Sequence, residues 1–489
     1  MNGSIVRYIL GQVIKIEGVL LLIPCVTGLI YHERTGFYYL IIAGVSLIAG
    51  VLLTMKKPSN TVFYLKEGCF ITSLSWICLS IIGCLPFYIS REIPKFTDAL
   101  FETISGFTTT GASILNDVEH LSRCTLMWRS FTHWVGGMGV LVFILAIVPL
   151  SGGSNFNLMR AESPGPSVGK LVPKLKNTAQ LLYIIYMAMT FLEIILLIIS
   201  KMPVFDAITL SFGTAGTGGF GVRNDSIASY THAQQWIITI FMLCFGVNFN
   251  LYYLLLFKEF KRAFSMEEVK AYIAVVAFSA IAIIASLHRV IPVLADNIRI
   301  TMFQVATIIT TTGYATVDFD KWPTFAKMVL VMLMFCGGCA GSTAGGIKVS
   351  RFVIGIKTVG KELESYRHPK SVKKIQMDGK PIEHEVIRAT NVYFLTYTMI
   401  FVISMLIIAL DKEDIVTCFT AIAATLNNVG PGLNMVGPTQ NYSHFSDISK
   451  YVMMLDMLAG RLELFPLLIM FHSSVWKELF TVKKPKKNS

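Results

Sequence analysis

Four short strings of threonine, asparagine and glycine carry the chemistry open to this chain. Thr108-Thr109-Thr110-Gly111 closes the stretch FETISGFTTTGAS (101–113) and returns as Thr310-Thr311-Thr312-Gly313. Two altered copies keep the plan: Gly216-Thr217-Gly218-Gly219 and Asn427-Asn428-Val429-Gly430. The closing glycines stand roughly one hundred residues apart. Glycine there admits φ > 0, which costs another residue about 1–2 kcal/mol. Backbone carbonyls in such a turn can replace water around an ion, and threonine hydroxyls can add oxygen or hold the loop. The strings read as four contributions to one ion filter on a central axis. Its residues are Thr109, Thr110, Gly111, Thr217, Gly218, Gly219, Thr311, Thr312, Gly313, Asn428, Val429 and Gly430. No ring of Asp or Glu marks them, which points to a monovalent cation rather than Ca²⁺.

The elements that position these strings are apolar. Of 489 residues, 54% are hydrophobic and 15% charged, too apolar for a soluble enzyme. Crossing a bilayer core takes ~20 apolar residues as helix, and several stretches qualify. Each string follows a long span and a short helix of roughly ten residues, too short to cross, and precedes a polar strip and a second span. The short helices begin near Asp98, Asp206, Asp296 and Asp414, each a candidate N-cap. Two spans without a string, Ile9–Ile30 and Phe37–Met55, form an N-terminal hairpin (1–60). Unit one (61–152) has spans Gly68–Ile89 and Ser130–Leu150; unit two (178–260) has Leu181–Ser200 and Trp236–Phe257. Unit three (268–352) has Tyr272–Val290 and Ala326–Arg351; unit four (391–478) has Val392–Leu410 and Lys450–Trp476. A loop (353–390) and a basic tail (479–489) complete the chain. The fold expected is an all-α polytopic membrane protein with ten crossings. Four pseudo-repeated span–pore helix–filter–span units surround one central pore, beside the N-terminal transmembrane hairpin. The short helices end at the strings, so their negative ends face the axis and favour a cation.

The net charge of +12 is no nucleic-acid footprint, because basic residues gather in loops between spans. Arg160, Lys170, Lys174 and Lys176 follow unit one, and Lys258, Lys261, Arg262 and Lys270 follow unit two. The richest loop runs from Lys348 through Arg388, and Lys477, Lys483, Lys484, Lys486 and Lys487 close the chain. The positive-inside rule makes these loops and both termini cytoplasmic, so the short helices dip from outside. Nine cysteines scattered through apolar segments suggest reduced thiols. Nothing resembles a cleaved signal peptide.

Several other features need weighing. Gly216 to Gly221 fits G-x-G-x-x-G, but a short apolar helix precedes it where a nucleotide fold needs a strand. Gly341 to Lys348 falls short of a P-loop because Ile347 occupies the lysine position. Gly337, Gly338, Gly341, Gly345 and Gly346 interrupt the second span of unit three. That density disfavours continuous helix, although small residues also serve close helix packing. Cys336 and Cys339 suit packing better than redox chemistry. Arg461 lies mid-span, where it costs ~2.5–3.5 kcal/mol, so it faces the pore or a partner such as Asp456 or Glu463. Glu102 reads as a brace behind the first string, and His133 as a packed, hydrogen-bonded residue; Glu193 has no assignment. An intramembrane hydrolase would need Ser342 or His133 beside a converging partner, and none is evident. The chain reads as a non-enzyme.

These motifs resemble the Trk/Ktr/HKT superfamily of potassium transporters, most closely its TrkH-type membrane subunits. The resemblance rests on SGFTTTGAS (105–113), FGTAGTGGFG (212–221), TTTGYAT (310–316), GGCAGSTAGGIKVSRF (337–352), ATLNNVGPGL (424–433) and LAGRLELFP (458–466). It spans all four units and the hairpin. It implies K⁺ uptake through a pore within one protomer, with K⁺ as the transported ion and no organic cofactor. It further implies a homodimer in the bacterial inner membrane and a cytosolic nucleotide-binding, TrkA-like regulatory subunit. By the same resemblance the glycine-rich stretch of unit three is an intramembrane gate and Arg461 a positive barrier in the cavity. A Na⁺- or H⁺-coupled K⁺ symporter with alternating access is the competing expectation.

Overall fold

The computed structural model describes residues 2–58, 64–139, 175–369 and 374–480. Helices dominate. Six among the described residues are long and apolar enough to cross a membrane: Gly3–Tyr31, Gly36–Thr54, Leu65–Ile89, Gln180–Ile199, Glu267–Leu287 and His384–Asp411. Large apolar side chains cover their outer faces, with Phe278 and Leu406 mostly exposed. The N-terminal pair packs through small residues: a Cβ on Gly11 would meet Leu53 at 2.8 Å, and one on Gly18 the Ala43 carbonyl at 3.0 Å. This pair also lies against Leu65–Ile89, whose core window is 67% buried, against 28% for Gln180–Ile199 and for His384–Asp411. The extra hairpin therefore covers the outside of unit one.

The second spans differ from their expected continuity. The helix starting at His232 bends by 90° between Phe245 and Phe249, where one span over Trp236–Phe257 was expected. Asn248 restarts the chain there, its side chain accepting from the Asn250 N–H at 2.9 Å. In unit three, Thr324–Cys336 stops at Gly337 (φ 67°), and helix resumes only at Val349. In unit four, Asp447–Arg461 and Phe465–Met470 are separated by Leu462, Glu463 and Leu464, the last two at positive φ. Pro466 follows, and proline lacks the N–H needed to carry a helix through. In unit one, Arg123–Met138 ends at Gly139. The remainder of the expected span Ser130–Leu150 lies outside the described residues, as do Arg160, Lys170, Lys174 and the lysines of the tail. The stretch 353–390 is not a loop throughout. Helix Val349–Arg367 enters it, a two-stranded hairpin pairs Gln376–Met377 with Lys380–Pro381, and helix His384–Ile408 leaves it.

Four short helices stand between first and second spans: Phe96–Phe107, Val204–Gly216, Leu294–Ile309 and Ile415–Asn427. They are longer than the ten residues expected. Asp414 caps the fourth, accepting from the Val416 and Thr417 N–H groups at 2.9 and 3.0 Å. The other three aspartates are not caps. They sit in the first turn, behind Lys95, Pro203 and Val293, where a carboxylate still meets the positive end of the helix. Their side chains reach instead to Lys450 from Asp98 (2.7 Å), Tyr230 from Asp206 (2.8 Å) and Arg299 from Asp296 (2.9 Å). All nine cysteines are free thiols.

This difference is measurable. Asp414→Ala should cost about 1 kcal/mol of stability, the usual worth of an N-cap, whereas Asp296→Ala, which breaks a half-exposed ion pair, should cost well under that. Thermal unfolding of the purified protein in detergent gives the comparison; equal losses would remove the distinction.

Candidate functional site

Each short helix ends in the same backbone figure. A left-handed residue closes it, at the C-cap for Thr217 (φ 54°) and Asn428 (56°) and one residue past the C-cap for Thr109 (53°) and Thr311 (58°). Two residues on, Gly111 (78°), Gly219 (84°), Gly313 (87°) and Gly430 (95°) are left-handed again. Between them, the N–H of Thr110, Gly218, Thr312 and Val429 donates back to Ser105, Gly213, Thr307 and Ala424 at 2.8–2.9 Å. This is the long closing bond of a Schellman-type helix end, and it satisfies a carbonyl the helix leaves orphaned. A β-branched residue at positive φ is a strained choice. Three threonines hold it here, each fully buried, and such conformations persist only where the surroundings over-determine them.

The four turns interlock in sequence order. A Cβ on Gly111 would stand 2.1 Å from the Gly218 carbonyl oxygen, and one on Gly219 would stand 2.0 Å from that of Thr312. A Cβ on Gly313 would stand 2.2 Å from the Val429 carbonyl oxygen, and one on Gly430 would stand 2.8 Å from that of Thr110. Each glycine thus lies against the carbonyl of the neighbouring turn, first to second, second to third, third to fourth and fourth to first. The twelve residues singled out in the sequence are brought together as one closed ring of backbone. Thr108 and Thr110 share a hydroxyl hydrogen bond of 2.8 Å, as do Thr310 and Thr312. Asn428 donates to the Thr110 hydroxyl at 2.9 Å across the fourth-to-first junction.

A second tier fixes the segments that leave the ring. Asn224 donates from its side chain to Asp117 at 2.8 Å, and its side-chain oxygen accepts from the Val118 N–H. The Asn224 hydrogen bond holds the Asp117 carboxyl below its ordinary range. Ile227 donates to the Ala315 carbonyl at 3.0 Å, and Tyr442 to that of Ser113 at 2.9 Å. The Tyr442 hydroxyl donates to the Gly430 carbonyl at 2.7 Å.

Behind the first turn, fully buried Glu102 accepts from the Ser113 hydroxyl, the Ile114 N–H and Arg129, whose Nη2 lies 2.7 Å away. Arg129 also donates to the Gly221 carbonyl at 3.3 Å and stacks over the Phe220 ring at 4.1 Å. One buried ion pair therefore ties the exits of the first and second turns. His133 bridges the same turns: its Nε2 accepts from the Phe220 N–H at 3.2 Å, leaving Nδ1–H to donate to the Gly106 carbonyl at 2.7 Å.

On the other side of the ring lies the glycine-rich segment 337–348. Gly337, Gly341 and Gly346 are left-handed; Gly338 and Gly345 are not. The Gly345 N–H donates to the Thr311 hydroxyl at 2.6 Å, and the Gly346 N–H to the Asn427 carbonyl at 2.9 Å. Arg461, the last residue of its helix, donates to the Thr343 carbonyl at 2.9 Å and to the Gly136 and Gly137 carbonyls at 2.5 and 2.6 Å. Of the acidic groups near it in sequence, Glu463 pairs with Arg351, and Asp456 accepts from Ser404 at 2.8 Å. Ser342 spends its hydroxyl on the Cys339 carbonyl, so neither it nor His133 is presented as a nucleophile–base pair.

A model of the TrkH family, described as a cation transport protein, matches residues 39–478. Two curated relatives, both named Trk system potassium uptake protein TrkH, span 98% of this chain and all of their own length. The one from Salmonella typhimurium is 33% identical and the one from Escherichia coli K12 is 34% identical. The crystal structure of the potassium transporter TrkH from Vibrio parahaemolyticus superposes with a TM-score of 0.87 at 30% identity, over 97% of this chain and 100% of that one. The chain belongs to the TrkH family. TrkH-family function is transport rather than catalysis, and the chain is a multi-pass membrane protein of that fold.

Sequence reasoning missed three participants in this TrkH-family site. Arg129 was hidden in a predominantly apolar helix, although an arginine there is costly enough to demand a partner. Glu268, which accepts from the Ala340 N–H at 2.6 Å, lies just ahead of the span expected from Tyr272 and drew no assignment. Asn248 gave no signal. Since removing one partner strands a buried charge, Arg129→Leu should cost about 3–5 kcal/mol, and the double variant Glu102→Gln/Arg129→Leu should recover part of it. Unfolding in detergent reports both; additive losses would mean that the two residues act independently.

Proposed function

We propose that the chain is the potassium-conducting subunit of a Trk-type uptake system in the bacterial inner membrane. The closed ring of four turns is its ion filter, lined by the backbone of Thr109 to Gly111, Thr217 to Gly219, Thr311 to Gly313 and Asn428 to Gly430. The observation that carries this reading is the succession of glycine-to-carbonyl contacts that returns from the fourth turn to the first. Four segments far apart in sequence bring their backbone carbonyls together, as a cage of oxygen ligands for a dehydrated cation requires. The relatives' potassium uptake supplies the ion. All four short helices end at the ring, so their negative ends add favourable potential for a cation without a carboxylate.

In this reading the four units are pseudo-repeats about one pore. Segment 337–348 is the gate beneath the filter, supported by its bonds to Thr311 and Asn427. Arg461 is a positive barrier beside it, supported by its bond to the Thr343 carbonyl. A cytoplasmic side for the termini and stretch 353–390 is supported by their basic residues through the positive-inside rule. The family resemblance extends the reading to a homodimer and to a cytosolic nucleotide-binding partner.

Liposomes loaded with the purified protein test the proposal through K⁺- against Na⁺-driven flux. Selective flux down a K⁺ gradient, indifferent to imposed Na⁺ or H⁺ gradients, is expected; flux driven by either of those gradients would favour a coupled symporter. Gly111→Ser should weaken K⁺ over Na⁺ discrimination, because a Cβ meets the Gly218 carbonyl at 2.1 Å; an unchanged permeability ratio would remove Gly111 from the filter. Arg461→Ala should raise conductance by removing a charge from the path, and reduced flux at equal expression would rule out the barrier role.

A further inference from the structure

Helix Glu267–Leu287 begins without a cap of its own: Met266 stands at the N-cap position and contributes no side-chain hydrogen bond. The cap comes from far along the chain. Asp378, at the tip of the Gln376–Pro381 hairpin, accepts from the Glu267 N–H at 2.7 Å, while its own N–H donates to the Glu267 carboxylate at 3.2 Å. This is the reciprocal pattern of a capping box, assembled from segments 111 residues apart. The hairpin is built to hold that geometry. Asp378 (φ 52°) and Gly379 (φ 75°) form a two-residue turn with both residues left-handed, and Met377 beside them is buried. Lys357, on the helix that leaves segment 337–348, donates both to the Glu267 carboxylate and to the Gln376 carbonyl, the latter at 2.7 Å. Hairpin, helix start and gate-following helix therefore meet at one residue.

The next residue faces the other way. Glu268 is buried, and its carboxylate accepts from the Ala340 N–H in segment 337–348 at 2.6 Å and from the Asn248 side chain at 3.3 Å. Asn248 stands at the 90° break of unit two, and the neighbouring Phe249 N–H donates to the Gly341 carbonyl at 3.0 Å. Two consecutive glutamates thus join a hairpin with an exposed tip to the largely buried segment 337–348 through a single helical turn.

We propose that the hairpin 375–382 positions segment 337–348 through this turn: Asp378 and Glu267 hold the helix start, and Glu268 and Asn248 transmit its place to Ala340 and Gly341. Withdrawing the hairpin frays the first turn and releases the segment. The inference rests on the reading of 337–348 as a gate only for its effect on flux; the mechanical link stands apart from it.

The test uses the full chain in proteoliposomes, with two readouts on Asp378→Gly and Asp378→Asn. Glycine keeps the left-handed turn and removes the cap, whereas asparagine keeps an acceptor for the Glu267 N–H. Hydrogen exchange of peptides covering 337–348 should rise roughly fivefold in the glycine variant, the scale of a lost N-cap, and return near the parent rate with asparagine. K⁺ flux without any partner should change in the glycine variant and recover with asparagine. Faster exchange at 374–382 with parent-like exchange at 337–348 would overturn the link. Faster exchange at 337–348 with unchanged flux would keep the link and overturn the gate reading. Should the glycine variant not reconstitute, Glu267→Gln, which removes the charge facing Lys357 but keeps an acceptor for Asp378, carries the same two readouts with a smaller expected rise.

Discussion

Backbone groups at membrane depth must find partners inside the protein, and this requirement governs how the molecule is built. A helix meets it alone; a turn does not. The chain nevertheless places four irregular turns together in its interior, so each turn has to be satisfied by something else. The helix-closing bonds at Thr110, Gly218, Thr312 and Val429 take part of the demand. Side chains take the rest: Glu102 for the Ile114 N–H, His133 for the Phe220 N–H and the Tyr442 hydroxyl for the Gly430 carbonyl. Contact does the remaining work, because the turns approach until no Cβ fits between a glycine and the next carbonyl. That approach demands glycine on steric grounds as well as for φ. The carbonyls of Thr110, Gly218, Thr312 and Val429 are thereby packed against the glycine of the neighbouring turn.

The same requirement explains why second spans are broken where first spans are whole. A first span has only neighbouring helices and lipid to meet. A second span must also supply donors to the ring and to the segment beneath it. Breaking at Gly246, Gly337 and Glu463 frees backbone groups for that purpose: the Gly246 carbonyl accepts from Cys339, and the Gly338 carbonyl from Val349. Each break is then paid for by a side chain placed close by. Arg461, beside the break at Glu463, reaches the Thr343 carbonyl of segment 337–348 and the Gly136 and Gly137 carbonyls at the end of helix Arg123–Met138.

Much of this was legible in the sequence, and the limits were physical. The strings were found because a left-handed position selects glycine strongly, and each of the four turns carries one there. The first spans were found because lipid exposure keeps them apolar along their length. The caps were misjudged at Asp98, Asp206 and Asp296 because an acid in the first turn and an acid at the N-cap look alike in one dimension. Only Asp414 has the backbone geometry to reach two N–H groups. The break at residues 246–248 was missed because its determinants are long-range: one glycine in an apolar run is tolerated in a helix, and the partners of the bend, among them Glu268 and the Cys339 and Gly341 backbone groups, lie far along the chain.

The ring is also unequal, and the inequality falls where the sequence departs most from threonine. Three junctions leave 2.0–2.2 Å between an added Cβ and the facing oxygen, while the fourth-to-first junction leaves 2.8 Å. That junction is bridged by Asn428, which donates to the Thr110 hydroxyl and to the Met457 carbonyl. An amide is longer than a hydroxyl and donates twice, so it can hold a wider gap that a threonine would leave unfilled. Asn428 therefore fits the wider corner, tying the fourth turn both to the first turn and to the helix Asp447–Arg461. The variation among the four strings follows from the different neighbours each one meets.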